Sequence, residues 1–402
     1  MNKVFICAAK RTAIGAMLGS LKNVHPADFA AVVVKQILED ANLDPENVDE
    51  LICGNVLPAG KGQGIGRQVA IKAGLPIEVP AYSLNMVCGS GMKAVINAYL
   101  SIKAGMNKVV IAGGTENMSA APYLVPETTR QGVKMGGFKA IDHMVYDALT
   151  DAYSGVHMGI TAENINRKHN ITREEQDAFA YNSQQKAIAA VDGGKFKEEI
   201  VPVVIKDRKG EIVFDVDEYP NRTTTPEKLA KLRPAFDPQG SVTAGNASGI
   251  NDGAAFFVVA SEEAVKEYNL PILAEIVGIG QGGVDPQVMG LGPVAAVRNV
   301  LKNADLKLSD IDVLELNEAF AAQSIGVVKE LSAEHGVSES EIYSKTNLNG
   351  GAIALGHPVG ASGARILVTL TYLLKHNPEF NLGLASLCIG GGMGTAVIIK
   401  KV

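Results

Sequence analysis

The stretch ANLDPENVDELICGN at residues 41–55 recurs near the other end of the chain as ADLKLSDIDVLELNE at 304–318. A recurring segment of this length is typical of a duplicated architecture, in which each copy builds the same unit of helices and strands. The stretch therefore predicts a chain with two related halves. The identical residues in register are Ala41/Ala304, Leu43/Leu306, Asp49/Asp312 and Leu51/Leu314.

Two further pairs of segments follow in the same order. CGSGMKAV at 88–95 resembles GASGARIL at 360–367, which aligns their Ser-Gly dipeptides. KVVIAGG at 108–114 parallels LASLCIGG at 384–391, and each is an apolar run that ends in paired glycines. Three matches in one order support a duplication more strongly than any one of them alone.

Apolar runs of strand length alternate with longer amphipathic stretches in both halves. This rhythm is typical of an α/β fold in which helices cover buried strands in layers. We expect an N-terminal half at 1–119 plus 250–270 and a C-terminal half at 271–402. The remaining segment, 120–249, is expected to be an inserted loop domain laid over the two halves.

The composition excludes several classes of protein. A chain of 402 residues with 47% hydrophobic and 20% charged residues is long enough for more than one packed core and is unlike a disordered chain. Its formal net charge of −6 argues against a nucleic-acid-binding protein, because neutralising phosphates requires a basic surface. We therefore expect a globular protein without a nucleic-acid partner.

The four cysteines, Cys7, Cys53, Cys88 and Cys388, are widely spaced and form no Cys-x-x-Cys pair. This usage fits a reducing compartment rather than a disulfide framework, and no set of Cys and His has the spacing of a zinc site. The first residues are typical of a strand and turn rather than of a signal peptide. No apolar stretch approaches the roughly 18 residues of a membrane span. We expect a cytoplasmic protein that binds neither a metal nor a membrane.

Cys88 stands at the start of a predicted helix, because the helical pattern of NMVCGSGMKAVINAYLSIKAG at 85–105 begins just after it. Unpaired backbone N–H groups and the positive end of the helix dipole favour a thiolate there. Gly89 and Gly91 leave room for a thioester beside the sulfur. Taken alone, a buried structural cysteine is the commoner explanation of the segment.

His357 lies in the equivalent turn of the second copy, within NLNGGAIALGHPVGASGARILVTLTYLLK at 347–375. The glycine-rich approach and Pro358 place its imidazole on a rigid loop, and a helix is expected from about Ser362. The duplication puts this loop at the same end of its unit as Cys88, and a thiol nucleophile requires such a base nearby. Taken alone, His357 is more often a loop histidine without a catalytic role.

Cys388 ends a buried strand in LCIGGGMGTA at 387–396 and precedes three glycines, whose N–H groups can turn toward a developing oxyanion. Taken alone, a buried cysteine before a tight turn is the commoner explanation of this segment. Asn317, within ELNEAFAAQS at 315–324, stands at a strand-to-helix junction on the repeat counterpart of Gly54. It either orients a catalytic water or serves as a helix N-cap.

Two further segments are candidates for ligand contact. SVTAGNASGINDGAA at 241–255 places Ser248 where its hydroxyl can bind an amide, although a plain turn cluster explains the segment as well. A locally basic stretch either meets phosphate groups or forms a solvated surface. Its residues are Lys206, Arg208, Lys209, Arg222, Lys228, Lys231 and Arg233.

The motifs NMVCGSG, VTAGNASGINDGAA, NEAFAAQ, GGAIALGHPVGASGAR and CIGGGMGTA occur in the order and spacing of the thiolase family, and the resemblance spans essentially the whole chain. HMGITAEN at 157–164 and KLRPAF at 231–236 resemble the short-chain acetyl-CoA C-acetyltransferase branch. The resemblance implies a duplicated thiolase-like fold. It also implies reversible Claisen condensation of two acetyl-CoA molecules to acetoacetyl-CoA and CoA, by a ping-pong mechanism through an acyl group on Cys88.

By this resemblance Cys88 is the acylated nucleophile, His357 is its base, and Cys388 is the acid/base that removes the α-proton of the second acetyl-CoA. Asn317 would hold a water that forms one oxyanion hole with His357, and the N–H groups of Cys88 and Gly390 would form the other. The CoA pocket that the resemblance implies consists of Leu149, His157, Met158, Arg222, Phe236, Ala244, Ser248, Ala319 and Phe320.

The resemblance further implies that coenzyme A is a substrate and product, that no cofactor is bound permanently, and that the protein is a homodimer or homotetramer. A β-ketoacyl synthase-like enzyme shares the duplicated fold but decarboxylates a malonyl unit, and the glycine-rich setting of Cys388 disfavours it. A degradative 3-ketoacyl-CoA thiolase of broader chain length remains an alternative. So does a non-catalytic acyl-CoA-binding relative.

Overall fold

The structure is a computed structural model that describes residues 3–207 and 210–402. Arg208 and Lys209 of the predicted basic stretch lie outside the described residues. The strands are β1 (Val4–Thr12), β2 (Gly15–Ala16), β3 (Glu50–Gly54), β4 (Ala81–Leu84), β5 (Val109–Asn117), β6 (Tyr123–Leu124), β7 (Ile141–Asp142), β8 (Ile200–Val201), β9 (Val203–Asp207), β10 (Gly210–Phe214), β11 (Asn251–Ser261), β12 (Ala274–Gly283), β13 (Val313–Leu316), β14 (Leu382–Ile389) and β15 (Met393–Lys400).

The helices are α1 (Pro26–Asp40), α2 (Ile65–Ala73), α3 (Ser90–Lys103), α4 (His143–Ala148), α5 (Met158–His169), α6 (Arg173–Asp192), α7 (Pro226–Ala230), α8 (Glu262–Glu267), α9 (Gly292–Ala304), α10 (Ala321–His335), α11 (Glu339–Ser344), α12 (Ala352–Leu355) and α13 (Val359–His376). Short 3₁₀ helices cover Pro45–Asn47, Glu127–Gln131, Pro286–Leu291 and Leu308–Asp310.

A large sheet contains the strands of both halves in the order β13-β14-β15-β12-β1-β11-β5-β3-β4. Strands β3, β5, β11 and β1 repeat the order and directions of β13, β14, β15 and β12, with one parallel pair followed by two antiparallel pairs in each set. The two sets join where β1 pairs with β12, at Phe5–Glu275 and Ile6–Ala274. The predicted duplicated α/β fold is confirmed. The residue limits of the halves and of the inserted segment stay a prediction.

The aspartates shared by the two copies accept hydrogen bonds at the start of a strand in each half. Oδ2 of Asp49 accepts hydrogen bonds from the N–H groups of Lys108 and Val109, at 2.6 and 2.8 Å, where β5 begins. Oδ2 of Asp312 accepts from Asn381 and Leu382, at 2.8 and 2.9 Å, where β14 begins. The sequence identity therefore reflects a repeated hydrogen-bonding requirement at the start of a strand.

The paired glycines of the third match are not equivalent in the sheet. In the parallel strand pairs of the two halves, Gly113 stands at the position that Ser386 occupies in the other half. The sequence match aligns Gly113 instead with Gly390, which lies four residues after Ser386. A Cβ on Gly113 would lie 2.1 Å from the carbonyl oxygen of Ala255, so this glycine permits a close contact inside the sheet. Gly390 instead opens the turn into β15. Aligning the strands by their glycines is therefore wrong by four residues.

The layering follows from the alternation of side chains along the strands. On β1, Phe5 and Cys7 pack toward α1 and α2, whereas Val4 and Ile6 pack toward α3 and α13. On the other side of the central helices lies the second half-sheet, whose outer face is covered by α9 and α10. The helices α3 and α13 therefore form a central layer between the two half-sheets.

Glycines let α3 and α13 approach closely. A Cβ on Gly91 would lie 2.9 Å from the carbonyl oxygen of Gly360, and one on Gly363 would lie 2.7 Å from Met92. Neither position has space for a larger residue unless the helices separate. Because both helices are buried at their N-terminal ends, this contact brings the loops before them together.

A buried ion-pair cluster ties the inserted segment to the sheet. Arg11 of β1 donates to Glu199 at 2.6 Å and forms a bidentate pair with Asp217 at 2.7 and 2.9 Å. All three side chains are buried, so the charges satisfy one another away from water. The inserted segment also contains the long helix α6, which ends at Asp192, just before Gly193.

Candidate active site

A cavity of about 190 Å³ lies at the ends of the central helices. Residues of both halves and of the inserted segment line it, and most of them are apolar. Cys88, His357 and Cys388 all line this cavity. The other lining residues are Met118, Ala148, Leu149, His157, Met158, Phe236, Ala247, Ser248, Gly249, Ile250, Met289, Ala319, Phe320 and Val359.

Cys88 sits in a strained turn between β4 and α3. Val87, although β-branched, has a positive φ of 45°, a conformation that is unfavourable for such a residue. Ser90 stabilises the turn, because its hydroxyl donates to Val87 O at 2.7 Å and accepts from Met86 N–H at 2.9 Å. Strain held by surrounding hydrogen bonds is a common feature of reactive positions. The turn leaves Cys88 two residues before the first residue of α3.

Burial dominates the acidity of the Cys88 thiol. It raises the pKa of Cys88 to about 11, although the N–H groups of Gly390 and of Cys88 itself act in the opposite direction. The expected preference for a thiolate at this helix start is therefore outweighed. Burial also lowers the pKa of His357 to about 3, with a further lowering from the charge of Arg365. Near neutral pH the two residues are an uncharged thiol and an uncharged imidazole.

His357 is held on both its backbone and its ring. Its N–H donates to Oδ1 of Asn251 at 2.9 Å, and its Nδ1 lies 2.6 Å from the hydroxyl oxygen of Ser362. Gly356, just before it, has a φ of +105°. The helix that we expected from about Ser362 begins earlier, at Val359, because the loop turns directly into α13 after Pro358.

Asn317 follows β13 and reaches the histidine. Its Nδ2 lies 3.5 Å from Nδ1 of His357, a distance too long for a strong hydrogen bond. Its Oδ1 is buried and has no hydrogen-bond partner among residues 3–207 and 210–402. The N-cap explanation of Asn317 is wrong, because α10 begins at Ala321 and Phe320 occupies its cap position.

Cys388 lies on β14, one residue before its end, and is buried. Burial raises the pKa of its thiol above the ordinary range, and the neighbouring Cys88 adds to this effect. The glycines that follow form a tight hairpin to β15, in which Gly391 and Gly392 both have a φ of +86°. Gly390 is the glycine whose N–H is directed at the Cys88 sulfur.

Three aromatic rings form a wall along one side of the cavity. His157 stacks on Phe236 with ring centroids 4.5 Å apart, and Phe236 meets the edge of Phe320 at 6.2 Å. Gly159 lies directly beneath this wall, since a Cβ there would be 2.2 Å from the ring of Phe236. The absence of a side chain at Gly159 therefore sets the position of Phe236.

The predicted CoA-contacting residues do not all reach this cavity. Arg222 and Ala244 line a second cavity of about 680 Å³ instead, and the guanidinium of Arg222 pairs with Asp192 at 2.7 and 2.9 Å. Lys206 of the basic stretch also pairs locally, with Glu211 at 2.9 Å. The residues that do line the first cavity are Leu149, His157, Met158, Phe236, Ser248, Ala319 and Phe320.

The cavity is supported from behind by residues that were not among the candidates from the sequence. Glu116, buried on β5, accepts hydrogen bonds from Asn55, Val56, Leu57 and Gly360, at 2.9 to 3.2 Å. The bond to Gly360 attaches the first turn of α13 to the N-terminal half. A charged residue inside the buried run VVIAGGTEN is an unusual pattern, and it was the signal available in the sequence.

Two models of known families match the chain. The one described as the N-terminal domain of thiolase matches residues 4–263, and the one described as the C-terminal domain of thiolase matches residues 270–401. The chain belongs to the thiolase family. An acetyl-CoA acetyltransferase of Syntrophomonas wolfei is 52% identical to this thiolase-family chain over 401 residues, with 99% of each chain covered.

Solved structures of the thiolase family resemble the fold closely. The acetyl-CoA acetyltransferase of Syntrophomonas wolfei superposes with a TM-score of 0.96 at 45% identity, with 100% of both chains covered. Human mitochondrial 3-ketoacyl-CoA thiolase in complex with CoA gives a TM-score of 0.92 at 43% identity, covering 100% of this chain and 98% of that one.

Two further findings concern the described part of the chain as a whole. Its helices are all too short or too polar to cross a membrane. Within the same residues, no group of three or more His, Cys, Asp or Glu side chains is arranged to hold a metal ion.

Proposed function

We propose that this protein is an acetyl-CoA C-acetyltransferase, which condenses two acetyl-CoA molecules reversibly to acetoacetyl-CoA and CoA. The observation that carries the proposal is the meeting of Cys88, His357 and Cys388 in one apolar cavity. Relatives and structural neighbours with the name acetyl-CoA acetyltransferase support the choice of substrate. Coenzyme A enters and leaves as part of the substrates and products.

In the first half-reaction the Cys88 sulfur attacks the carbonyl carbon of acetyl-CoA. His357, being uncharged, accepts the thiol proton and passes it to the sulfur of the departing CoA. The N–H groups of Cys88 and Gly390 point at the reacting sulfur, and in the proposed mechanism they stabilise the oxyanion beside it. A well-placed donor of this kind stabilises a transition state by roughly 3 kcal/mol.

In the second half-reaction Cys388 first passes its thiol proton to Nε2 of His357, and the resulting thiolate removes a proton from the methyl carbon of a second acetyl-CoA. The resulting enolate carbon attacks the acetyl group on Cys88. As acetoacetyl-CoA leaves, the Cys88 sulfur takes the proton from His357, and Cys388 keeps the proton of the methyl carbon, so both thiols are restored. Nε2–H of the protonated His357 and a water bound to Oδ1 of Asn317 stabilise the enolate oxygen. The unpartnered Oδ1 of Asn317 supports this assignment, since a buried acceptor without a partner is otherwise costly.

Mass spectrometry after incubation with acetyl-CoA tests the proposal. We expect an acetyl adduct on Cys88, which Cys88→Ser abolishes. Cys388→Ala should keep the adduct and lose condensation, because the two thiols serve different half-reactions. Equal loss of acylation in both variants would contradict the division of roles. The absence of any adduct in the wild-type protein would instead leave a non-catalytic acyl-CoA-binding protein.

The length of the acyl chain distinguishes the proposed activity from that of a 3-ketoacyl-CoA thiolase. One human structural neighbour has that name. The narrow cavity, bounded by Met158, Phe236 and Met289, favours short acyl groups. Thiolysis rates across 3-ketoacyl-CoA substrates should therefore be highest for acetoacetyl-CoA and fall as the chain lengthens. Equal rates for long chains would favour the degradative alternative.

We also propose a homotetramer, assembled from two kinds of apolar surface. Strand β4 lies at the end of the large sheet, and its Tyr82 is exposed at an edge that can pair with a second copy. The segment 123–142 exposes Met135 (94%) and Phe138 (54%), which fit a contact between two dimers.

Light scattering should give a tetramer that Met135→Asp/Phe138→Asp converts to a dimer. Val204→Asp, at another exposed apolar position, is the control, and a tetramer in the double variant would contradict the assignment.

We infer a cytoplasmic location from the chemistry of the thiols. All four cysteines are unpaired, and two of them line the cavity. A reducing compartment keeps such thiols in the reactive form. Cell fractionation should find the protein in the cytoplasm, and a secreted, oxidised form would contradict this inference.

A further inference from the structure

A buried asparagine contacts the loop that carries the proposed base. Asn251 is the first residue of β11 and is 0% exposed. Its Oδ1 accepts a hydrogen bond from the backbone N–H of His357 at 2.9 Å, and its Nδ2 donates to the carbonyl oxygen of Gly15 at 3.0 Å. Gly15 belongs to β2, which pairs with β11. One side-chain amide therefore connects the backbone of the histidine to this strand pair.

Two glycines pack against the same amide. A Cβ on Gly356 would lie 2.6 Å from Oδ1 of Asn251, and a Cβ on Gly249 would lie 2.7 Å from it, so neither position has space for a side chain. Gly356 directly precedes His357 and has a φ of +105°, whereas Gly249 lines the cavity. The amide of Asn251 is thus in contact with the loop of the base and with the loop that lines the cavity.

The second copy of the fold is built without such an amide. Phe256 of β11 and Ala396 of β15 are equivalent, because they pair with the residues already matched on β5 and β14. Asn251 precedes Phe256 by five residues, and Gly391 precedes Ala396 by five, so Gly391 is the counterpart of Asn251. Because Gly391 has no side chain, the fold itself does not require an amide here. The amide occurs in the copy whose strand contacts His357.

We propose that Asn251 is a positioning residue for His357: its amide oxygen fixes the backbone of the histidine, so that the imidazole stays within reach of the Cys88 sulfur. This inference rests on the proposed role of His357 as a base. Ser362 contacts the ring at Nδ1, whereas Asn251 contacts the backbone, so the histidine is held at two points. A displacement of a catalytic group by about 1 Å can lower a rate roughly a hundredfold.

Rapid mixing with acetyl-CoA, followed by mass spectrometry, tests the proposal. In Asn251→Ala the maximal rate of Cys88 acetylation should fall roughly tenfold to a hundredfold, because the base is displaced. The acetyl-CoA concentration that gives half of this rate should change by less than about threefold, since loss of a group that acts in the chemical step leaves binding largely intact. A rise in this concentration with an unchanged maximal rate overturns the proposal.

Asn117→Ala is the matched control. Asn117 lies on the neighbouring strand β5 and is 1% exposed, and its Nδ2 donates to the carbonyl oxygens of Leu21 and Val24 at 3.0 and 2.8 Å. It is therefore an equally buried asparagine that bridges backbone groups away from the histidine. Both variants should lower the urea midpoint, because each loses hydrogen bonds of a buried amide. Only Asn251→Ala should slow acetylation, and equal rates in the two variants overturn the proposal.

A second substitution separates the two hydrogen bonds of the amide. Asn251→Asp keeps an acceptor for the N–H of His357 and loses the donor to Gly15, so its acetylation rate should stay within about threefold of the wild-type rate. A rate as low as that of Asn251→Ala, or more than about tenfold below the wild-type rate if the alanine variant does not fold, assigns the effect to the bond with Gly15 and overturns the proposal. In the wild-type protein the amide hydrogen of His357 should exchange slowly with solvent. Rapid exchange overturns the proposal without any variant.

Alkylation by iodoacetamide shows whether the nucleophile is unaffected. At one pH the alkylation rate of Cys88 should be equal in Asn251→Ala and the wild-type protein, because the reagent requires only the thiolate. A changed rate would mean that Asn251 supports the whole cavity, which overturns its specific role. A wild-type protein that forms no acetyl adduct overturns the proposed function instead. An adduct together with equal acetylation rates in Asn251→Ala and Asn117→Ala overturns the role of Asn251 alone.

Discussion

The hydroxyl oxygen of Ser362 lies 2.6 Å from Nδ1 of His357, and the same hydroxyl donates to the carbonyl oxygen of Pro358 at 2.9 Å. A hydroxyl has one hydrogen, so with that hydrogen directed at Pro358 its oxygen accepts a hydrogen bond from Nδ1–H. The proton of the neutral imidazole is then on Nδ1, and Nε2 is the nitrogen free to accept a proton. Ser362 therefore selects the tautomer that a base requires.

Ser362→Ala removes this selection, and we expect the rate of Cys88 acetylation to fall about tenfold. The estimate corresponds to one hydrogen bond of about 1–1.5 kcal/mol. Thr371→Ala deletes a similar hydroxyl bond on the same helix, from Thr371 to Leu367 O at 2.8 Å, and serves as the control. Equal rates in the two variants, measured by rapid mixing and mass spectrometry, would show that Ser362 is only structural.

The rate at which iodoacetamide alkylates Cys88 should keep rising at pH values where an ordinary cysteine has already reached its maximum rate. The raised pKa of about 11 means that the thiol keeps its proton where an ordinary cysteine, at about 8.5, has lost it. Since only the thiolate reacts, the rate should rise about tenfold per pH unit and level off only near pH 11. The same peptide in the denatured chain should level off near the ordinary value. A plateau below about pH 8 in the folded protein would reveal a thiolate–imidazolium pair and contradict the assignment.

Gly159→Ala should weaken substrate binding through Phe236. The added Cβ would lie 2.2 Å from the ring, which forces Phe236 and the stacked His157 to move. We expect the KM for acetyl-CoA to increase severalfold and the protein to lose about 1–3 kcal/mol of stability, as overpacking generally produces. Gly137→Ala is the control, because a Cβ there has no neighbour within 4 Å. Steady-state kinetics with an unchanged KM would contradict the role of this glycine.

Asp312→Ala should destabilise the C-terminal half-sheet by about 1–2 kcal/mol, because the N–H groups of Asn381 and Leu382 lose their acceptor. Asp49→Ala should act in the same direction on the other half. Glu379→Ala, at an exposed carboxylate, should leave the urea midpoint unchanged. A midpoint for Asp312→Ala equal to that of Glu379→Ala would mean that the repeated aspartate does not stabilise the strand.

Much of the fold was predictable because local patterns repeat. The aspartates whose carboxylates bind the N–H groups at the starts of β5 and β14, and the glycines on α3 and α13, were visible as a sequence match before their contacts were known. The alignment of β5 with its repeat counterpart β14 was not predictable in this way, since Gly113 and Gly390 are both glycines for different reasons. One permits a close contact within the sheet, and the other opens a turn.

The residue types of the site were predictable from the sequence, but their protonation states and charged partners were less so. A helix start suggested a thiolate at Cys88, but burial by residues distant in sequence outweighs that local effect. The family resemblance implied Arg222 as part of the CoA pocket, and the structure places it beside a different cavity, where it pairs with Asp192. Both differences arise because the surroundings of a charge depend on segments that meet only after folding.

Identical residues at matching positions were enough to predict that the chain is built twice, because they form the same local hydrogen bonds in each half. The motifs of the chain supplied Cys88, His357 and Cys388 as candidates. The meeting of these three side chains in one cavity, and the burial that keeps the histidine uncharged, arise only on folding. Folding also places the hydroxyl of Ser362 next to the imidazole. The physical reason is that proximity and burial are set by the packing of α3 against α13, two helices separated by more than half of the chain.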